Sequence, residues 1–428
     1  MNAGKSDEPA RGASEQRVLR PSRAAPADAV RPTRAEINLA ALRHNLRVLQ
    51  RHAGRAKIWA VLKADGYGHG APAVARTLER AGANGFCVAL LEEGIELREA
   101  GITAPILIMG GYYGSAHAEV LARGLTPVVY NGAQLDAFGA LVRTGQIQGP
   151  IDIHVKVDTG MARLGVTMDE LPAFTKQLRQ SLERRELRVQ GLMTHLAQAD
   201  ALSPDATRAQ VELFERATAY LGEHGIHPDV RHAANSAAVL RPDAAAIDSR
   251  FDAVRPGVAF FGVPPLLLAE KSEAGLARGL RTGGVPVSDE LRPVMRVRSE
   301  IVDVREIPAG AEIGYGAHWR APHRSRIATI AMGYADGLLR QLSNKGYVLV
   351  RGKRAPIVGV VSMDTAMVDV TAHEGVCVRD EAVILGAQDG PLGKDLILAQ
   401  EIADRAGTIA WEVLTSISRR VPRFYREP

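Results

Sequence analysis

Ala60-Val61-Leu62-Lys63-Ala64-Asp65-Gly66-Tyr67-Gly68-His69-Gly70 is the stretch on which the reading of this chain turns. The apolar run Ile58 to Leu62 has the length and content of a buried strand, and a lysine follows it directly. Gly66, Gly68 and Gly70 then interrupt regular structure, and a helix is predicted over Ala71 to Ala81. An amine at the carboxyl end of a parallel strand stands where α/β folds gather their chemistry. Desolvated by its own strand, such a lysine can lose its proton and form a Schiff base with an aldehyde. Alone, Lys63 reads more simply as a solvated loop residue. The company it keeps favours the first reading.

Outward from this strand, short β-rich runs alternate with amphipathic segments from Arg34 to about Gly262. Strands are predicted near residues 58–63, 86–90, 105–109, 126–130, 151–157, 189–195, 230–232 and 253–256. A first helix is predicted over Ala35 to His52, and later ones over Leu91 to Ala100, Ser115 to Arg123, Ala133 to Arg143, Asp169 to Leu182 and Asp205 to His224. Eight strands and their helices in roughly 220 residues suit a (β/α)8 barrel. An open doubly wound sheet is the rival, but no GxGxxG follows the first strand.

Beyond Gly262 the composition shifts to Pro, Gly and Ser, which predicts a linker over 266–291. Alternating segments follow at Val294 to Val304, Arg326 to Met332, Tyr347 to Arg351, Ala355 to Val361, Ala366 to Val370 and Ala382 to Leu385. Helices are expected over Lys394 to Ala406 and Trp411 to Ser418. The fold class is therefore α/β, with an N-terminal (β/α)8 barrel over 33–265 and a C-terminal mostly β domain over 292–428. Residues 1–32, rich in Ala, Arg, Ser and Pro, read as a disordered tail.

At 428 residues the chain exceeds what one core usually supports, so two domains are the default. The net charge of +5 is small for this length and its basic residues are interleaved with acids, which argues against a nucleic-acid partner. No run approaches the roughly 18–20 apolar residues of a membrane span. Cys87 and Cys377 lie far apart, outside any CxxC pattern, so a reducing cytoplasm is the expected setting and no metal site is expected.

The predicted strand ends carry an unusual set of polar groups. Lys63 and Tyr67 end the first strand, His154-Val155-Lys156-Val157-Asp158 forms the fifth, and Arg163 lies in its loop. The sixth gives Thr194-His195, the seventh is followed by Asn235-Ser236, and the eighth carries Arg255-Pro256-Gly257. Ser236 and the backbone amides of Gly257 and Val258 fall where such barrels often bind phosphate. Each has a plainer alternative: Lys156 neutralised by Asp158, His195 as a core histidine, Arg255 paired with Asp248 or Asp252. Five polar groups at one end of five strands are costly as packing alone. A phosphate-bearing aldehyde cofactor accounts for all of them.

These strand ends, with the C-terminal half, carry a resemblance. AVLKADGYGHG, KVDTGMARLG, THLAQAD, AANSA and VRPG are followed by IGYGA at Tyr315, GYADG, SMD at Met363 and RRVPR. From about Arg34 to Arg426 the chain resembles the alanine racemases, barrel-type enzymes dependent on pyridoxal 5'-phosphate. The resemblance implies that Lys63 binds the cofactor as a Schiff base and that Tyr67, Asn235, Ser236, Gly257 and Val258 anchor it. It places His195 and Arg255 by the pyridine ring, with the always-protonated Arg255 facing its nitrogen, and Arg163 near the substrate carboxylate. Lys156 matches a lysine that some members carry carbamylated. Met363 matches a substrate-binding residue from a second subunit.

Racemisation removes a proton from one face of the α-carbon and returns one to the other, which calls for two bases. The resemblance assigns these to Lys63 and Tyr315, the latter reaching across a homodimer interface. It implies conversion of L-alanine to D-alanine for cell-wall peptidoglycan. One departure is Thr408-Ile409-Ala410-Trp411-Glu412, where the family commonly carries a tyrosine in place of Trp411. The alternatives are a broader amino-acid racemase acting on serine or lysine, a barrel-type decarboxylase, and a non-catalytic cofactor-binding barrel. Cys377 does not sit in the motif expected of the decarboxylase, and the C-terminal domain argues against the barrel-only protein.

Overall fold

A computed structural model describes residues 30–114, 116–201, 203–241, 250–265, 281–282, 285–286 and 290–427. Most of the expected tail and of the expected linker lies outside the described residues. The first strand, β1 (Arg34–Asn38), stands apart from the barrel. The barrel strands are β2 (Lys57–Val61), β3 (Gly85–Leu90), β4 (Ile106–Gly111), β5 (Thr126–Val129), β6 (Ile151–Lys156), β7 (Leu187–Met193), β8 (Val230–His232) and β9 (Ala253–Val254). All pair in parallel, and β2 with β9 closes the ring through Lys57 opposite Ala253 and Ile58 opposite Val254.

Every strand-to-strand crossover needs a covering helix, and the amphipathic segments supply them. Ala71–Arg80, Leu91–Glu99 and Gly132–Arg143 bury one apolar face each, and Asn131 caps the last by accepting from the Gln134 amide. Both faces of the strands are thereby covered, so Ile58, Ala60, Phe86, Val88, Ile153 and Val155 are buried.

Two predicted helices are shorter than expected, for tertiary reasons. Ala35 to Asn38 is strand, not helix: it pairs antiparallel with Met295–Ile307 and parallel with Arg423–Arg426. The helix begins at Leu39, where the Asn38 side chain accepts from the Ala41 amide. Likewise Gly393–Ile397 pairs with Glu381–Gly390, leaving only Ala399–Ala406 helical. Partner strands decide both segments, and local periodicity cannot see them.

The C-terminal domain is a nine-stranded sheet that includes β1 and Arg423–Arg426, so both ends of the described chain are sewn into it. At this seam the buried carboxylate of Glu36 bonds Arg34, Arg296, Arg298 and Arg426 at 2.7–3.1 Å. A lone buried carboxylate would be costly, and these guanidiniums offset that cost. Arg31 similarly forks onto the buried Asp336 at 2.8 and 3.0 Å. No helix of the described residues is long and apolar enough to cross a membrane.

Candidate active site

The turn after β2 is left-handed. Ala64, Asp65, Gly66 and Tyr67 have φ of 52°, 56°, 62° and 52°. Left-handed backbone costs non-glycine residues roughly 1–2 kcal/mol each, so the surroundings must hold it. The Asp65 carboxylate accepts from the Ala71 amide at 2.8 Å. Glu93, from the helix Leu91–Glu99 that follows β3, accepts from the Ala64 amide at 2.6 Å and from the Ala89 and Leu90 amides at 2.8 and 3.1 Å. His69 lies within hydrogen-bond reach of the Tyr67 and Gly66 carbonyls through Nδ1 and stacks on Phe261 at 4.1 Å. From the C-terminal strand, Arg423 donates to the Gly68 carbonyl at 2.9 Å. Lys63 is fixed at the head of this turn. Burial, and then Arg163, lower its pKa, against an opposing pull from Glu93.

Across the barrel, β6 delivers Lys156. The Asp158 carboxylate accepts from the amides of Gly160, Met161 and Ala162 at 2.9, 2.9 and 3.2 Å. That carboxylate therefore organises its own loop instead of pairing with Lys156, and the loop returns to bridge Val157 with Val166. Burial, Arg255 and Arg163 push the Lys156 amine down to about 8. Burial and the same two arginines hold His195 neutral, with its pKa pushed down to about 3.

Arg255 is fully enclosed and touches no carboxylate among the described residues. It donates to His232 Nδ1 at 2.6 Å and to the Thr194 and Ala233 carbonyls at 2.6 and 3.3 Å. Asp252 bonds Arg231 instead, and Asp248 lies outside the described residues. Ser236 Oγ accepts from the Gly257 and Ala259 amides at 2.8 and 3.3 Å, while Asn235 caps the short helix Ser236–Leu240. A Cβ at Gly257 would collide with the Tyr67 hydroxyl.

Lys63, Tyr67, Lys156, Arg163, His195, Asn235, Ser236, Arg255, Gly257 and Val258 line one cavity of about 460 Å³. Trp411 lines it too. Tyr113, Met109 and Asp200 also line it and went unnoticed in the sequence. Asp200 ends the THLAQAD motif, which was a usable signal, whereas Tyr113 follows a strand end of plain glycines. Tyr315 and Met363 are not in this cavity. Tyr315 is 75 % exposed and borders a separate hollow of about 320 Å³ with Val360, Ser362 and Met367, and Met363 is 52 % exposed.

Four cationic side chains thus face one carboxylate, a donor set suited to an anionic ligand with more than one charged group. Ser236 Oγ already accepts two amide bonds, so its own hydrogen is left to donate.

Two family models match the chain: "Alanine racemase, N-terminal domain" over residues 37–265 and "Alanine racemase, C-terminal domain" over 294–425. The chain belongs to the alanine racemase family. An alanine racemase of Sorangium cellulosum is 56 % identical over 405 residues, covering 93 % of this chain and 100 % of that one. One from Symbiobacterium thermophilum is 42 % identical over 402 residues, covering 93 % and 98 %. Among solved structures, the Streptomyces lavendulae alanine racemase superposes with a TM-score of 0.82 at 34 % identity, covering 93 % and 98 %. The Bartonella henselae alanine racemase, with covalently bound pyridoxal phosphate, gives 0.78 at 28 %, covering 92 % and 99 %.

Proposed function

We propose that this protein interconverts L- and D-alanine using pyridoxal 5'-phosphate, as a cytoplasmic homodimer that supplies D-alanine for cell-wall peptidoglycan. The observation that carries the reading is Lys63, its pKa lowered, at the head of an over-determined turn in a cation-rich cavity. Lys63 would hold the cofactor's aldehyde carbon. Tyr67, Asn235, Ser236 and the Gly257–Val258 backbone would hold its phosphate end, and His195 and Arg255 its ring. The bound cofactor supplies electron withdrawal that makes the α-hydrogen of an amino acid acidic.

The chain's own residues do the rest. Lys63 Nζ, neutral once freed, serves one face: it takes the α-proton there in one direction of reaction and delivers a proton there in the reverse direction. Tyr315 Oη, from the C-terminal domain of a second copy, serves the opposite face, and Met363 of that copy closes on the substrate. Arg163 donates to the substrate carboxylate. Lys156, with its amine near neutrality, is suited to react with carbon dioxide, giving a carbamate anion and a proton. The carbamate would then steer Arg163. The barrel over 33–265 thus provides the cofactor site, and the domain over 292–428 lends the second base. The unpaired Cys87 and Cys377 suit a reducing compartment.

The test is polarimetry of L-alanine, L-serine and L-lysine with the purified protein. Loss of rotation is expected with alanine first. Borohydride reduction should fix the cofactor to the peptide bearing Lys63. Unchanged rotation of alanine after cofactor addition would overturn the reading.

A further inference from the structure

Two histidines inside the barrel take no part in the chemistry above. His154 on β6 and His232 on β8 are fully buried, with ring centroids 4.9 Å apart and the Trp59 indole 5.3 and 5.2 Å from them. Arg255 fixes where their protons lie. A guanidinium has only donors, so His232 Nδ1, 2.6 Å from Arg255 Nη1, must accept. The His232 proton is then on Nε2, which donates to His154 Nδ1 at 2.7 Å. That leaves the His154 proton on Nε2, donating to Gln190 Oε1 at 3.2 Å. Gln190 Nε2 in turn donates to Asp152 Oδ2 at 3.4 Å, and Arg188 secures Asp152 with bonds of 2.6 and 2.8 Å.

Every donor points the same way, from the buried cation to a carboxylate near the amino-terminal end of β6. Protonating either imidazole fully would set two N–H groups against each other, so the geometry alone keeps both rings neutral. The strand opposite makes room for this. Gly191 pairs with His154 in register, and a Cβ there would overlap the His154 ring, although Gly191 has no left-handed backbone to explain a glycine.

We infer that His232, His154 and Gln190 are positioning residues: a one-way hydrogen-bond chain that ties Arg255 to Asp152 and fixes the plane of the guanidinium at the cavity. An uncompensated buried charge is costly, and among the described residues Arg255 has no carboxylate of its own. A chain of aligned donors ending on an anion is polarised along its length and spreads that charge. The catalytic consequence rests on the proposed racemase reading, whereas the proton placement does not.

The experiment has two arms. In the purified enzyme with labelled histidine nitrogens, nuclear magnetic resonance at neutral pH should find His232 and His154 both protonated on Nε2 alone. A proton on Nδ1 of either ring would overturn the chain. In the kinetic arm, His154→Phe deletes the relay and Gly191→Ala displaces its ring without removing a polar group. Each should lower kcat for L-alanine about tenfold with KM within about twofold, and the double variant should be no worse than either, as expected of residues acting as one unit. Additive losses, or wild-type kcat in Gly191→Ala, would overturn the coupling. Should His154→Phe fail to fold, Asp152→Asn takes its place, with an expected loss of about threefold in kcat. If the protein racemises no amino acid, the proposed function falls while the nuclear magnetic resonance arm still decides the chain.

Discussion

The barrel cavity and the Tyr315 hollow are finished to different degrees. In one chain the cavity already gathers Lys63, Lys156 with Arg163, His195 and Arg255 from four strand ends, with Arg255 fully enclosed. The hollow beside Tyr315 lies open, and the apolar side chains at the cavity mouth, Leu90, Tyr113 and Leu164, are exposed as well. Strands of a closed barrel bring side chains together within one molecule. A turn on a sheet surface can only offer its side chain to something else. On the proposed reading, the contrast is that of a site half built by folding and half completed by a second copy in a two-fold dimer.

Complementation breaks this comparison most sharply. Lys63→Ala and Tyr315→Phe each remove one proposed base and should each cost about 10²–10⁴-fold in racemisation. Unfolding the two variants together and refolding them as a mixture should restore activity, because a mixed dimer pairs an intact Lys63 with an intact Tyr315 in one of its two sites. If the two residues act within one chain, the mixture stays inactive.

Acid should attack the finished half. His69 and His154 are fully buried, with pKa values pushed down to about 3 and about 4, mainly by burial. Unfolded histidine takes up a proton below about 6.5 while these two cannot, so their contribution is full above that pH and is lost as pH falls towards 4. The slope is about 1.4 kcal/mol per pH unit for each histidine, visible in urea unfolding between pH 7 and 5. A stability flat across that window would show that the barrel interior admits protons without unfolding.

The turn itself gives a smaller effect. Glu93→Gln keeps size but sets an amide donor against the Ala64, Ala89 or Leu90 N–H groups that the carboxylate now satisfies. A loss of about 1–3 kcal/mol in local stability is expected, read as faster amide exchange at Ala64, with racemisation reduced about tenfold. Unchanged exchange would mean that Asp65 and Arg423 hold the turn without Glu93.

The barrel was legible because several of its strands, such as Lys57–Val61, Gly85–Leu90 and Ile106–Gly111, are largely apolar runs standing in a regular rhythm with amphipathic helices. The site was legible because its charged residues sit immediately after those runs. Other features are invisible to local pattern. Ala35 to Asn38 became a strand because Met295–Ile307, far along the chain, pairs with it. The left-handed sense of Ala64–Tyr67 depends on Glu93, His69 and Arg423, none of which the glycines announce. Nothing local singles out His154 and His232, since only the fold brings them into line with Arg255.

Trp411 should give the smallest change, and it sharpens the comparison at the boundary between the two halves. It lines the finished cavity yet comes from the C-terminal domain, on the helix Ala410–Ser416. Its indole N–H offers one donor and no acceptor, whereas a tyrosine offers both and occupies less volume. In Trp411→Tyr the pocket should gain room for a longer side chain, shifting the ratio of serine to alanine kcat/KM by no more than the about 1–3 kcal/mol of a methylene's worth of space. Cofactor affinity should change less than that, because Ser236 and the Gly257–Val258 backbone, not Trp411, are proposed to carry the phosphate end. A ratio unchanged on polarimetric assay would place Trp411 outside the substrate's reach and assign the alanine preference to residues lent by the second copy.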